Sequence, residues 1–294
     1  MNKGIAITLI ILLSLITVFV TGVFILLLNG NTKFNIFSIF NMGYSENLID
    51  SKEIENIEDI YITTDIGDIF IEENTEDKIK VELYSEDSEN YFIKEEDNQL
   101  QIKLNAKKKS FNFGGKRNRV IVKVPKNYDK TIKVRTTTGD IEVESFADMK
   151  LNVEGTTGDI KIDKVDRLDF KLTTGDVKVG TLNYISGDVK TGDIKVSETE
   201  VFSAATTTGD ITIDNVTKRI YARTTTGDIR IDKANIEEDS TIKTGTGDIK
   251  IESLKGAYIE ASAHTGDVKV QNNDRHLEKT IKITSNTGDI KVNQ

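Results

Sequence analysis

Eleven of the 21 glycines in this 294-residue chain are followed directly by aspartate. A globular core gives no reason for such an excess, so the pair marks an internal repeat, and a repeat constrains the fold more than any single motif. From residue 139 onward the paired glycines stand at 139, 158, 175, 192, 209, 227, 247, 266 and 288, with spacings of 17 to 22 residues. Gly187-Asp188 lies only five residues before Gly192 and reads as a mid-strand coincidence.

Each unit repeats one apolar pattern. The second and fourth residues after the glycine are Ile or Val throughout, as in Ile141 and Val143, Ile160 and Ile162, or Ile290 and Val292. Alternation of this kind is a strand with one buried face. The residue before the glycine is Thr in all nine units: Thr138, Thr157, Thr174, Thr191, Thr208, Thr226, Thr246, Thr265 and Thr287. The third and fifth residues before it are small or apolar, such as Leu172 and Phe170. The expected inward set is therefore minus five, minus three, minus one, plus two and plus four. Crossing the pair takes three residues where a straight strand takes two, so the chain turns a corner there, with Gly free to take positive φ and Asp projecting outward.

A unit of about 18 residues cannot bury its own apolar face, whereas stacked copies bury a continuous core. The fold class read from this is all-β, a β-solenoid. Nine coils at about 4.8 Å make a rod of roughly 43 Å. The irregular spacing does not keep the six-residue step of a left-handed hexapeptide helix, and a right-handed parallel β-helix is expected. Residues 54–125 contain strands without the regular unit. Gly67-Asp68 fits the template as a diverged first coil, with Ile62, Thr64, Ile66, Ile69 and Ile71 inward, and the region reads as a cap with hairpin-like excursions. Pro125, the one proline, closes a strand where a missing N–H does little harm. At the other end no capping segment follows Val292. Either the last coil frays or another chain covers its edge, so self-association at the C-terminal coil is an expectation.

Ahead of the repeat, Ile5 to Leu28 is a nearly unbroken apolar run of 24 residues. As a helix it reaches roughly 36 Å, enough to cross a bilayer core of about 30 Å. A cleaved signal peptide is the alternative, but its shorter apolar core and small-residue cleavage site are lacking. The expected organisation is an anchor at 1–29, a juxtamembrane linker at 30–53, diverged coils at 54–125 and regular coils at 126–294. Lys3 and Lys33 flank the run, so the charge bias is slight, and a short N-terminal tail favours an extracellular C-terminal domain at the cell membrane. Residues 34–44 carry four aromatics that suit either the headgroup zone or packing on the first strands.

Composition narrows the chemistry. No Cys excludes disulfides, thiolate metal sites and Cys nucleophiles, and two His, His264 and His276, make a His metal site or relay improbable. A net charge of -9 argues against nucleic acid as a partner. Residues 1–50 sum to zero, from Lys3, Lys33, Glu46 and Asp50, so the whole charge belongs to the displayed part.

The corner aspartates, Asp140, Asp159, Asp176, Asp193, Asp210, Asp228, Asp248, Asp267 and Asp289, form an outward ladder at about 4.8 Å spacing, where like charges repel. Two residues on stand Lys161, Lys178, Lys195, Arg230, Lys250, Lys269 and Lys291, expected to compensate. Calcium is the rival reading of the ladder, but it takes about six to eight oxygens, and the G-G-x-G-x-D nonapeptide of calcium-binding rolls is absent. The corner threonines read as core-filling. An outward ligand-binding array is open only to Thr137, Thr156, Thr173, Thr207 and Thr225, an interrupted series. Lys107, Lys108, Lys109, Lys116, Arg117 and Arg119 around Phe111 and Phe113 read as a hairpin tip, or as a contact for anionic headgroups or acidic wall polymer. No nucleophile elbow, metal-spaced ligand set or phosphate loop occurs, and a periodic carboxylate ladder lacks the unlike environments that acid-base chemistry needs. No catalytic, cofactor-binding or metal residue is assigned, no cofactor is expected, and the chain reads as a non-enzyme.

The units TTTGDIEV (136–143), TTGDIKI (156–162), TTTGDITI (206–213) and TTTGDIRI (224–231), preceded by VKVP (122–125), resemble the bacterial β-strand-repeat proteins of unknown function labelled putative adhesins. The resemblance covers about residues 54–294. It implies a membrane-associated, surface-exposed β-solenoid, in some members tied to envelope stress, with no established catalytic residues. The function expected is a displayed adhesin or interaction module that contacts wall polymer or a protein partner. The alternative is a structural or regulatory envelope component that self-associates or binds a membrane partner.

Overall fold

A computed structural model describes residues 47–55, 57–85, 90–105 and 118–294. The expected span Ile5–Leu28, the aromatic segment 34–44 and the basic residues at 107–109, 116 and 117 lie outside the described residues. Among the described residues no helix is long and apolar enough to cross a membrane.

The order is all strands: β1 (Leu48–Ile54), β2 (Asp59–Ile66), β3 (Asp68–Asn74), β4 (Ile79–Tyr84), β5 (Asn90–Glu96), β6 (Gln99–Asn105) and β7 (Arg119–Pro125). The regular region continues with β8 (Thr131–Thr138), β9 (Ile141–Ser145), β10 (Lys150–Thr157), β11 (Ile160–Lys164), β12 (Arg167–Thr174), β13 (Val177–Thr191), β14 (Ile194–Thr208) and β15 (Ile211–Thr226). It ends with β16 (Ile229–Asn235), β17 (Ser240–Thr246), β18 (Ile249–Lys255), β19 (Ala257–Thr265), β20 (Val268–Gln271), β21 (Lys279–Thr287) and β22 (Ile290–Asn293). One strand precedes each Gly-Asp corner and another follows it, and each pairs in parallel with its counterpart in the neighbouring coil, as β10 does with β8 and β12. The result is a β-solenoid.

The alternation read from sequence places the core. In the coil around Gly175, Leu168, Phe170 and Leu172 before the corner and Val177 and Val179 after it are all buried. A further inward row, seven residues past the glycine, holds Phe146, Val165, Leu182, Val216, Ala234 and Leu254. It closes the third side of the coil, and the sequence pattern had not singled it out. Gly187 lies inside β13 at the fifth position before Gly192, opposite Phe170, where an added Cβ would stand 2.6 Å from the ring. It makes room for that ring and marks no corner.

The two ends depart from simple stacking. At the N-terminal end β2 and β3 lie between the coil of β8 and β9 and a coil made from β6 and β7, so the first corner in sequence is not the outermost in space. The expected hairpin-like cap is present: β5 pairs antiparallel with β6, β4 with β7, and β1 with β4. Ile66, expected inward, is 51% exposed. At the C-terminal end β21 pairs with both β17 and β19, and β22 with both β18 and β20. The final strands are thus inserted one coil inward. This corrects the expectation of an uncapped last coil: Gln294 is tied down, its amide donating to Ala257 O at 2.8 Å and accepting from Asp274 N at 3.0 Å. The outermost coil is instead that of β19 and β20, whose inward Ala261, Ala263 and Val270 are only half-buried.

Candidate interaction surface

The corner explains why Asp follows Gly. The Gly139 N–H donates to Thr157 O at 3.0 Å and the Ile141 N–H to Asp159 O at 2.8 Å, both toward the next coil. The Asp159 N–H points the other way and donates to the Asp140 carboxylate at 2.9 Å. A short carboxylate therefore replaces a carbonyl in the ladder, a charge-assisted bond to an N–H. The same bond runs from Asp68 through Asp140, Asp159, Asp176, Asp193, Asp210, Asp228, Asp248 and Asp289 to Asp267, reporting the spatial order of the coils. Glycine is required at Gly158 because φ is +141° and a Cβ would run into Gly139 O.

Two expectations about this corner are corrected. The threonines before the glycine, Thr138 through Thr287, are all exposed. Where the residue at minus three is Thr or Ser, its hydroxyl can donate to the glycine carbonyl of the preceding coil: Thr206 to Gly192 O at 2.9 Å, Thr224 to Gly209 O at 3.1 Å, Thr244 to Gly227 O at 3.0 Å and Ser285 to Gly247 O at 3.2 Å. The inward alternation stops at minus three, and the threonine two residues on faces outward in every unit. The basic row faces outward as expected, but of these residues only Lys269 pairs with a corner aspartate, Asp267 at 3.9 Å. Lys161 reaches Glu142, and Arg230 and Lys250 reach Glu252. Backbone N–H groups, rather than lysines, hold most of the ladder. Among the described residues no group of three or more His, Asp or Glu is placed to hold a metal ion.

Sequence reasoning missed the outward face formed by β5, β6, β2, β8 and β10. The strand register sets Phe92 beside Lys103, then Thr63, Arg135 and Glu154 in one row, and Lys94, Gln101, Tyr61, Lys133 and Asn152 in the next. Tyr61 stands between two open depressions. One, of about 440 Å³, is lined by Tyr61, Thr63, Phe92, Gln99, Gln101, Ile102 and Lys103; the other, of about 390 Å³, by Tyr61, Lys133, Arg135, Asn152 and Glu154 among others. The Lys133 ammonium sits 4.6 Å from the Tyr61 ring centroid and donates to its hydroxyl at 2.9 Å, which braces the ring. That hydroxyl bond, with the Asp59 charge adding, holds Lys133 above its ordinary pKa. Three of the bases here are paired: Arg135 with Glu154 at 2.7 Å, Lys133 with Asp59 at 3.8 Å, Lys94 with Glu96 at 2.6 Å. Phe92 is 41% exposed. Alternating aromatic and amide residues on outward strand positions were the available signal. Of the basic cluster, Arg119 is described, and its guanidinium lies over Phe70 and Tyr84.

The repeated corner, read twice over, also decides the chain's kinship. The Toastrack DUF4097 family model matches residues 57–191 and again 179–294. The chain belongs to the Toastrack DUF4097 family. This Toastrack chain is also similar to three solved structures. A putative adhesin from Bacteroides fragilis NCTC 9343 is 19% identical, with 85% of this chain and 98% of that one covered and a TM-score of 0.43. A putative cell adhesion protein from Clostridium sporogenes ATCC 15579 is 16% identical, with 83% and 98% covered and a TM-score of 0.30. A putative lipid binding protein from Parabacteroides distasonis ATCC 8503 is 15% identical, with 83% and 96% covered and a TM-score of 0.42. A comparison with curated proteins finds no match.

Proposed function

We propose that this Toastrack chain is a non-catalytic adhesin or interaction module, anchored in the cell membrane by residues 5–28 and displayed outside the cell. The observation that carries the reading is the face around Tyr61. A lysine-braced aromatic ring flanked by two depressions, with Lys133, Arg135 and Lys94 each paired to a carboxylate, suits recognition of a polar surface polymer or protein by stacking and amide hydrogen bonds. A regular rod also holds such a face rigidly, so little ordering cost attends binding.

The test has two arms. Protease accessibility on intact cells checks display, and cleavage only after lysis refutes it. Binding of the purified chain to isolated envelope material checks contact: Tyr61→Ala with Phe92→Ala lowers it about ten-fold or more while the circular dichroism is unchanged. Binding that survives both substitutions refutes the assignment of this face. A second reading, a structural or regulatory envelope component that self-associates, is favoured by the open outer edge of β19 and β20.

A further inference from the structure

The outermost coil leaves a defined set of groups without partners. Each inner coil donates its glycine N–H and the N–H two residues on to the coil beyond: Gly288 to Thr265 O and Ile290 to Asp267 O, both at the last junction. In the outermost coil the same groups, Gly266 N–H and Val268 N–H, face outward where no further coil stands among the described residues. Asp267 ends the carboxylate ladder. Its N–H donates to Asp289 at 2.8 Å, and no corner N–H beyond it comes to its own carboxylate. Val268 is 41% exposed, although its counterparts in the inner coils are buried.

Only part of this edge is protected. The Asn273 side chain both accepts from Ile259 N–H and donates to Ile259 O, each at 2.9 Å, occupying the first half of the β19 edge as a strand would. From Ala261 to Val270 nothing comparable among the described residues covers the backbone. The opposite end is closed by the antiparallel additions of β5, β4 and β1, so the open edge cannot stack head-to-tail on a matching corner.

We infer that this edge is a homophilic interface, in which β20 pairs antiparallel with β20 of a second copy across a two-fold axis through Val268. It names a partner for the interaction module proposed above and rests on that reading only for its biological setting. The axis lets the two Val268 residues exchange both backbone bonds, as facing residues of a hydrogen-bonded antiparallel pair do. Gly266 then faces the second copy's Val270. Asp267 stands opposite the second copy's Lys269, and Lys269 opposite the second copy's Asp267, so the charge pattern Asp-Val-Lys is complementary to itself, as an isologous contact requires. The described chain begins beside β1 and β4 at the closed end. The two-fold therefore puts the two starting points at opposite ends of the pair, a geometry for joining two surfaces.

The test is sedimentation of the full chain in detergent, with single and double charge swaps. Asp267→Lys places lysine opposite lysine twice, and Lys269→Asp places aspartate opposite aspartate twice. Each weakens the dimer about ten-fold or more, since cross-strand charge pairs turn from favourable to unfavourable. The double swap restores it, and so does mixing the two single variants. Asp267 carries no ladder bond on its carboxylate and Lys269 is exposed, so both fold, as circular dichroism verifies. A strict monomer at high concentration, or a dimer indifferent to these swaps, overturns the inference. Binding through the Tyr61 face is measured separately, so either proposal can fail alone.

Discussion

Replacing one corner glycine in mid-stack with alanine is the sharpest perturbation of this fold. Gly192 has φ +148°, and a Cβ added there lands well inside contact distance of Gly175 O. The backbone conformation alone costs about 1–3 kcal/mol for a residue with a Cβ. Relieving the overlap requires the two coils to part by about 1 Å. Three bonds cross that junction: Gly175 N to Thr191 O at 3.0 Å, Val177 N to Asp193 O at 2.8 Å and Asp193 N to Asp176 Oδ1 at 2.9 Å. Stretched by that amount they leave hydrogen-bond range, and at about 0.5–1.5 kcal/mol each they add about 2–4 kcal/mol. Gly192→Ala should therefore destabilise by about 3–7 kcal/mol. Gly155→Ala is the matched control. It lies at an inward strand position without left-handed φ, and its Cβ would meet the tip of Leu172 at 2.5 Å, a side chain able to turn aside. Overpacking at about 1–3 kcal/mol, offset by the gain of about 0.5–1 kcal/mol from replacing a strand glycine, leaves a cost of about 2 kcal/mol or less. Urea unfolding of residues 47–294, followed by circular dichroism, compares the two. Equal midpoints would refute the claim that close approach of backbone at the corner dictates glycine.

Two further predictions concern polar groups. Asp193→Asn keeps an acceptor for the Asp210 N–H at 2.8 Å and removes repulsion from the carboxylates of the adjoining coils, so stability changes by less than about 0.5 kcal/mol, whereas Asp193→Ala loses about 1 kcal/mol; unfolding curves in which the alanine variant matches asparagine would refute the ladder's role. The buried Tyr128 hydroxyl has no hydrogen-bond partner among the described residues, and burial, then the charges of Asp59 and Asp129, hold its pKa above the ordinary 10.0. The unfolded chain then loses this proton first, so the contribution is intact below pH 10 and falls as pH rises past it. Tyr128→Phe should raise stability by about 1 kcal/mol at neutral pH and lessen the alkaline loss, which pH-dependent melting measures.

The repeat, the corner and the strand rows on either side of it were legible because side-chain alternation is local. What escaped depended on three-dimensional neighbours. Thr138 and its equivalents continue the alternation on paper, yet the backbone already bends before the glycine and leaves them outside. The inward row of Phe146, Val165 and Leu182 sits between two bends, where no period of two reveals it. Neither end could be ordered from sequence, since the unit at Gly288, TGDIKV, follows the same pattern of Ile or Val two and four residues past the glycine as its neighbours, TGDIKI and TGDVKV. A weak signal existed: of the nine units only the one at Gly266 combines Ala at both minus five and minus three, Ala261 and Ala263, with Val at both plus two and plus four, Val268 and Val270, as suits a coil with one neighbour. The Tyr61 face was hidden for a related reason, because Tyr61 comes from a strand far in sequence from the hairpin that carries Phe92 and Gln101, and the three meet only through register.

The insertion of the last strands beneath β19 and β20 has a consequence for how the chain acquires its shape. A growing chain delivers β19 and β20 first, while the surface of β17 and β18 is still bare and offers the same corner geometry that β21 and β22 later occupy. Premature docking there is a register competitor, and the native order requires the late segment to win a longer loop closure. The finished arrangement reverses the usual weakness of a solenoid, which peels from its tips. Here the tail is gripped on both sides, so unravelling cannot begin at Gln294 without first parting two coils.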